Sequence, residues 1–238
     1  MSVALVTGGS AGIGLAVVKS LLERGDEVIS LDIQPAGVSH QNLHHMKVDL
    51  TKPDETEKAS ANLKSKKITT VIHNAGVIRP ALLPDVKLED FDALVNLHLK
   101  AAITLVQAAL PAMKAEGYGR VVLVSSRAVL GLPTRTSYSA TKAGMLGMAR
   151  TWALELAPLG ITVNVVAPGP VRTANFHSVI PEGSAQVEKV AQAIPVKRLG
   201  EPEDAARAVM FFAARDAGFI TGQVLYVCGG TSVGTLTL

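Results

Sequence analysis

The chain has one cysteine, Cys228, in 238 residues. No intrachain disulfide is possible, so packing and hydrogen bonding must hold the fold, and a reducing, cytoplasmic setting is expected. A membrane-spanning run is missing too, because Lys100 and Lys114 bracket the most apolar stretch. The opening MSVALVTGG shows neither a basic leader nor a cleavage site, and no signal peptide is read from it. Net charge is only +3, and the short basic cluster Lys64, Lys66 and Lys67 has no interleaved aromatics. Such a cluster reads as a solvated helix end, which argues against nucleic acid as a partner. His44 and His45 stand without other ligand-type residues, so no metal site is expected. Linkers, repeats and low-complexity tracts are likewise missing, which leaves residues 1–238 as a single domain.

What the chain has in quantity is apolar sequence, 48% against 18% charged, a balance that suits a sheet covered on both faces. Strand-like runs fall at 3–7 (VALVT), 27–32 (EVISLD), 46–48, 68–74 (ITTVIHN), 120–126 (RVVLVSS), 161–168 (ITVNVVAP) and 223–227 (QVLYV). Helical patterns separate them, over Ile13–Arg24, from Pro53, over Leu88–Met113, over Tyr138–Ala157 and over Pro202–Ala214. Strands alternating with helices imply right-handed crossovers. The expected architecture is α/β, a doubly wound parallel sheet of about seven strands with helices on both faces.

Between the first strand and the first helix lies Thr7-Gly-Gly-Ser-Ala-Gly-Ile-Gly14. Glycines let the backbone turn sharply and approach a pyrophosphate, while the helix N-terminus offers unpaired N–H groups and positive potential. Asp32 ends the second strand, where an acid that binds ribose is expected. The glycine spacing is G-x-x-x-G-x-G. With it the chain resembles the classical short-chain dehydrogenase/reductase family, whose TGxxxGxG motif is matched by Thr7, Gly8, Gly12, Ile13 and Gly14.

The resemblance implies a Rossmann domain that holds a nicotinamide dinucleotide through Gly8, Ser10, Gly12, Ile13 and Gly14, with Asp32 on the adenosine ribose hydroxyls. A carboxylate there repels a 2′-phosphate, and Ser10, Ala11, Ile33 and Gln34 bring no compensating cation, so the expected cofactor is NAD(H). Asp49 and Leu50 match the family's adenine contact, and Asn74, Ala75 and Gly76 its NAG motif. His73, where Asn is commoner, reads as a hydrogen-bonded strand-end residue.

In SYSATK, residues 137–142, Tyr138 and Lys142 are one helical turn apart on one face. A phenol ionising at about pH 10 is a poor base at neutral pH, and a nearby cation corrects this. Lys142 is therefore expected to lower the pKa of Tyr138, which would exchange a proton with a substrate oxygen. A hydroxyl at the adjacent strand end should hold the same oxygen. Counting from Arg120 along the strand selects Ser126, and counting back from Tyr138 selects Ser125; strand registers vary less than loops, so Ser126 is taken.

The resemblance implies Asn96 as a fourth member, at a helix kink that anchors the water linking Lys142 to a proton relay. The competing reading is a core asparagine bonded to neighbouring backbone. It also implies that Pro168 and Gly169 turn the chain at the nicotinamide, with Val171 and Thr173 toward the carboxamide, followed by a mobile substrate loop near 173–195. Arg127, Arg135 and Arg172 fall near the expected mouth and suggest a carboxylate or phosphate on the substrate.

The implied activity is an NAD-dependent interconversion of a secondary alcohol and a ketone. A 3-oxoacyl thioester reductase of the same family and a catalytically silent dinucleotide sensor are the alternatives. Such a sensor is expected to lose Tyr138 or Lys142, and both are present. Family members pair their helices into homotetramers, so a homotetramer without membrane or nucleic-acid partners is expected.

Overall fold

The computed structural model describes residues 2–233, so the ends of the expected 1–238 domain, Met1 and 234–238, lie outside the described residues. Seven strands form one parallel sheet: β1 (Val3–Thr7), β2 (Glu27–Asp32), β3 (Leu43–Lys47), β4 (Ile68–His73), β5 (Gly119–Val124), β6 (Ile161–Pro168) and β7 (Val224–Val227), in the order β3-β2-β1-β4-β5-β6-β7. β4, β5 and β6 are buried throughout, as expected of strands covered on two faces. The sequence places β3 at 46–48, and the strand runs earlier. Its LHHMK is half-exposed at the sheet edge and therefore lacks an apolar signature.

One face is covered by α1 (Gly12–Glu23) and α8 (Pro202–Phe212), through Val17, Leu21, Val209 and Phe212 against Ala4 and Val6. On the other lie α2 (Pro53–Leu63), α3 (Leu88–Val95), α4 (Ala101–Glu116) and α5 (Thr136–Leu156), with Leu63, Leu105, Met113 and Met145 packed on Leu5, Ile29 and Val163. The helical run from Leu88 is interrupted where the resemblance implies a kink: Asn96–Lys100 form a π-helical turn between α3 and α4. The run Leu88–Glu116 is long and apolar enough to cross a membrane, but its buried residues pack against the sheet and α2. The expected substrate loop contains two short helices, α6 (Ala174–His177) and α7 (Ala185–Ala193).

Successive crossovers reverse direction between β1 and β4, which are hydrogen-bonded neighbours with Thr7 opposite His73. The crevice beyond their carboxyl ends is a topological switch point, where this fold binds ligands. The glycine loop enters it along a path that admits no side chain at Gly14, because a Cβ there would overlap the Gly8 carbonyl oxygen. Gly14→Ala should destabilise the fold by more than about 2 kcal/mol, read as a lowered urea midpoint. A midpoint equal to wild type would show that the loop relaxes freely.

Candidate active site

The loop after β1 is fixed from beneath. Asn74 Nδ2 donates to the carbonyls of Thr7 (3.2 Å) and Gly8 (3.0 Å), and the Thr7 hydroxyl accepts the N–H groups of Asn74 and Ala75 (both 3.0 Å). Gly8 and Gly12 have φ of +66° and +52°, which a glycine adopts without strain. Ala11 at the N-cap of α1 has no side-chain oxygen, so the first-turn N–H groups of that helix stay available to an anion. Asp32 is held at the end of β2, its carboxylate accepting from Ser10 N and Gln34 N, each at 2.9 Å. A glycine cradle, an uncapped helix start and a half-exposed carboxylate fit a dinucleotide.

Ile13 packs against the core on the α1 face, and Leu50 is buried beside the half-exposed Asp49, which accepts both Thr51 N–H and O–H. Across the crevice, Gly169 N donates to Val227 O (2.9 Å), Val171 pairs with Gly200, and Thr173 caps α6 by accepting from Phe176 N. Thr173 Cγ2 lies 3.1 Å from where a Gly12 Cβ would stand, so the glycine loop and the segment after β6 meet.

Tyr138 and Lys142 project from the first turns of α5 toward the end of β5. Lys142, 2% exposed, donates from Nζ to Val124 O at 2.7 Å and lies 5.8 Å from the Tyr138 ring centre. The two serines divide the labour. Ser125 is buried and donates to Lys142 O (2.8 Å), tying the strand to the helix, whereas Ser126 accepts Ala128 N–H (3.1 Å) and lies close enough to the Tyr138 phenol to favour its ionised form. Ser126 is thus the serine beside Tyr138.

Burial lowers the pKa of Lys142 from 10.5 to about 7, and no ion pair among the described residues offsets it. Tyr138 departs from the sequence expectation. Burial raises its pKa, and the Ser126 hydrogen bond and the Arg135 charge only partly oppose that rise. Lys142 does not offset the rise, because burial lowers its own pKa to about 7 and it has lost its charge before the phenol ionises.

Asn96 opens the π turn, where the resemblance implies a kink; its side-chain amide donates to Thr51 O (3.1 Å), and its Oδ1 is buried without a hydrogen-bond partner among the described residues. The residue that approaches Lys142 from this helix is His98, fully buried and edge-on to Tyr138 with ring centres 5.7 Å apart. The π turn sets this direction, since a wider turn rotates the following side chains relative to α-helical spacing. It also leaves the Leu97 carbonyl to accept from His73 Nε2 (3.0 Å), while His73 Nδ1 accepts from the Thr7 hydroxyl (3.1 Å). Burial and then the Lys142 charge push the His73 pKa down to about 3, so its ring is neutral.

Two parts of the chain far apart in sequence therefore supply a dinucleotide cradle and a serine–tyrosine–lysine cluster to one crevice. The family described as "Enoyl-(Acyl carrier protein) reductase" matches residues 8–232. Over 245 residues the chain is 36% identical to the 3-oxoacyl-[acyl-carrier-protein] reductase FabG of Thermotoga maritima, covering 96% of each chain. It is 37% identical to the (2S)-[(R)-hydroxy(phenyl)methyl]succinyl-CoA dehydrogenase subunit BbsD of Thauera aromatica, over 97% of this chain and 96% of the other. Among solved structures, ElxO with NADP bound superposes with a TM-score of 0.89 at 27% identity, covering 98% of this chain and 99% of that one. The protein belongs to the short-chain dehydrogenase/reductase family. Within it, the chain is an oxidoreductase of the kind that binds a nicotinamide dinucleotide.

The buried ammonium has a measurable consequence for stability. The folded protein holds Lys142 at about 7 against the ordinary lysine value of 10.5, so between those values the native state binds fewer protons than the unfolded chain. Wild-type stability relative to Lys142→Met should therefore rise with pH across this window, by on the order of 4 kcal/mol in all. Urea midpoints of the two proteins at pH 6.5, 8 and 9.5 measure it; a constant difference would contradict it.

Proposed function

We propose that the protein interconverts a secondary alcohol and a ketone with NAD(H), using Tyr138 as the general acid and base. The observation that carries this reading is the cluster itself: Ser126 stands beside the Tyr138 phenol, and Lys142 lies one turn away, 5.8 Å from the ring centre, beside Gly76 and the end of β5. Bound in the crevice, NAD would supply a hydride acceptor or donor. The glycine loop, Asn74 and Ala75 would hold the dinucleotide, with Pro168, Gly169, Val171 and Thr173 on the opposite wall. Ser126 donates to the substrate oxygen and fixes its direction. In oxidation the Tyr138 oxygen takes the hydroxyl proton of the substrate; in reduction it returns a proton to the carbonyl oxygen. The Lys142 ammonium favours the phenolate once a second positive charge reaches the crevice.

Asp32 supports NAD(H) over NADP(H). Its carboxylate is clamped by two backbone N–H groups at the end of β2, and neither Ile33 nor Gln34 offers a cation to a 2′-phosphate. The relatives' names support a second reading for the substrate, a 3-oxoacyl thioester such as FabG reduces. Arg135 favours an anionic group on whatever binds. It is 8% exposed and hydrogen-bonds only Thr134 beside it, without an ion pair among the described residues. Arg172, by contrast, is paired with Glu201 at 3.1 Å, and Arg127 donates to Thr231 O. The exposed Leu154, Ala157 and Pro158 on and after α5, beside Arg150 and Thr221, support the homotetramer.

Turnover of NAD+ with a panel of secondary alcohols, and of NADH with 3-oxoacyl thioesters, tests the reading. Tyr138→Phe should lose at least ~100-fold in kcat, and undiminished turnover would remove the phenol from the mechanism. Wild type should bind NADH more tightly than NADPH, with Asp32→Ala narrowing the gap; equal affinities in wild type would end the NAD preference. Arg135→Ala should lose activity on anionic substrates and keep it on neutral ones, and the reverse pattern would contradict the anion site.

A further inference from the structure

The loop between β5 and α5 buries a guanidinium without giving it an anion. Arg135 is 8% exposed and stands at the N-cap of α5, where its side chain makes no capping bond. Its backbone is held from three directions. Arg135 N donates to Leu132 O (3.2 Å), Arg135 O accepts from Ser139 N (2.7 Å), and Ala81, in the loop after β4, pairs with it while Ala81 N donates to Thr134 O (3.0 Å). Thr134 is thereby drawn into the left-handed region, with φ of +65°, which a β-branched side chain resists. Strain of this kind persists where neighbouring contacts over-determine the backbone and fix a functional side chain. Here the Thr134 carbonyl and hydroxyl both accept from Arg135 Nη1, which leaves Nε and Nη2 without a hydrogen-bond partner among the described residues.

Nothing nearby neutralises that charge. The charged group that acts on Arg135 is the Tyr138 phenol, three residues along, and burial keeps the phenol neutral; no carboxylate contributes. A guanidinium does not give up its proton, so it stays a cation in a desolvated place. Its free N–H groups present the fork that receives a carboxylate through two parallel hydrogen bonds.

We infer that Arg135 binds the free carboxylate of the substrate, which makes the molecule turned over a short hydroxy acid, or the matching oxo acid, with its carboxylate close to the carbinol. This rests on the function proposed above and takes the free acid in preference to the thioester. Helix positions three apart have Cβ atoms about 5–6 Å from each other, so the two groups that Arg135 and Tyr138 hold on one molecule are only a few bonds apart. A 3-hydroxy acid meets this, with a single carbon between carbinol and carboxylate. A thioester has a neutral carbonyl at that place, and the phosphate of a pantetheine arm lies many bonds further on, so Arg135 would stay unpaired. In oxidation the carbinol carbon loses a hydride to NAD+, its hydroxyl loses a proton to Tyr138, and the carboxylate is unchanged.

Three forms of one alcohol separate these cases: 3-hydroxyhexanoate, its methyl ester and its pantetheine thioester, each with NAD+. Wild type should show kcat/KM at least about tenfold higher for the acid than for the ester or the thioester. In Arg135→Met the acid-to-ester ratio should fall at least about tenfold, with Arg135→Lys between the two. The ratio is read because losing a charge beside Tyr138 alters turnover of every substrate. A wild type that prefers the ester or thioester would overturn the inference without any variant. So would an unchanged ratio in folded Arg135→Met, and if sedimentation then showed an altered assembly, the arginine would belong to a contact between copies. Calorimetric binding of hexanoate and hexanamide to the protein alone needs no turnover. Hexanoate should bind at least about tenfold more tightly, and Arg135→Met should abolish the difference. A protein inactive on every alcohol and ketone would sink the function proposed above, whereas equal binding of hexanoate and hexanamide would sink this inference.

Discussion

The structure is organised around one buried ammonium. Lys142 is enclosed where the end of β5, the start of α5, the π turn and Gly76 converge, and its direct hydrogen-bond acceptor among the described residues is the carbonyl of Val124. A desolvated cation without a carboxylate is expensive to keep, and its pKa near 7 measures that expense. The surroundings make sense as a frame for it. Ser125 ties the lysine's own backbone to the strand, Ser126 stands beside the phenol, and two neutral histidines complete the wall without adding charge.

Geometry links this cation to the dinucleotide cradle. β1 and β4 pair with Thr7 opposite His73, and Thr7 serves both sides: its hydroxyl takes the N–H groups of Asn74 and Ala75 and reaches the His73 ring. His73 in turn holds the carbonyl of Leu97 in the π turn, and His98, the next residue along, is locked to Thr141. Hydrogen bonds of 2.9–3.1 Å, joined through the chain at Leu97 and His98, thus run from the glycine loop to the helix that presents Tyr138. π turns occur at functional sites often enough to be informative, and here the widened turn is what aims His98 inward.

Much of this is legible in the sequence where a residue type is demanded by the backbone or by strictly local spacing. The glycine loop, Asp32 at a strand end, the NAG turn and the one-turn separation of Tyr138 and Lys142 are of that kind, and counting along β5 selects the serine that meets the phenol. LVNLHL has two polar residues in an apolar helical run, and α-helical spacing cannot reveal how a π turn sets the directions of Asn96 and His98. The partner of Asn96, Thr51, is 45 residues away in sequence. The sign of the Tyr138 shift is hidden for a related reason: charge proximity can be read from spacing, but desolvation depends on what the fold places over the ring. β3 begins earlier than its apolar residues suggest because an exposed edge strand needs no apolar alternation, and the helices within 173–195 carry too few buried residues to announce themselves.

The account therefore holds that the free protein keeps Tyr138 a neutral phenol and that ionisation awaits a second positive charge beside Lys142. A pH titration of Tyr138, followed by carbon-13 NMR at Cζ with and without saturating NAD+, tests this most directly. The predicted result is a midpoint above the ordinary phenol value of about 10 in the free protein, falling by at least about one unit when NAD+ is bound. A midpoint below 10 in the free protein, or one that NAD+ leaves unmoved, would contradict it.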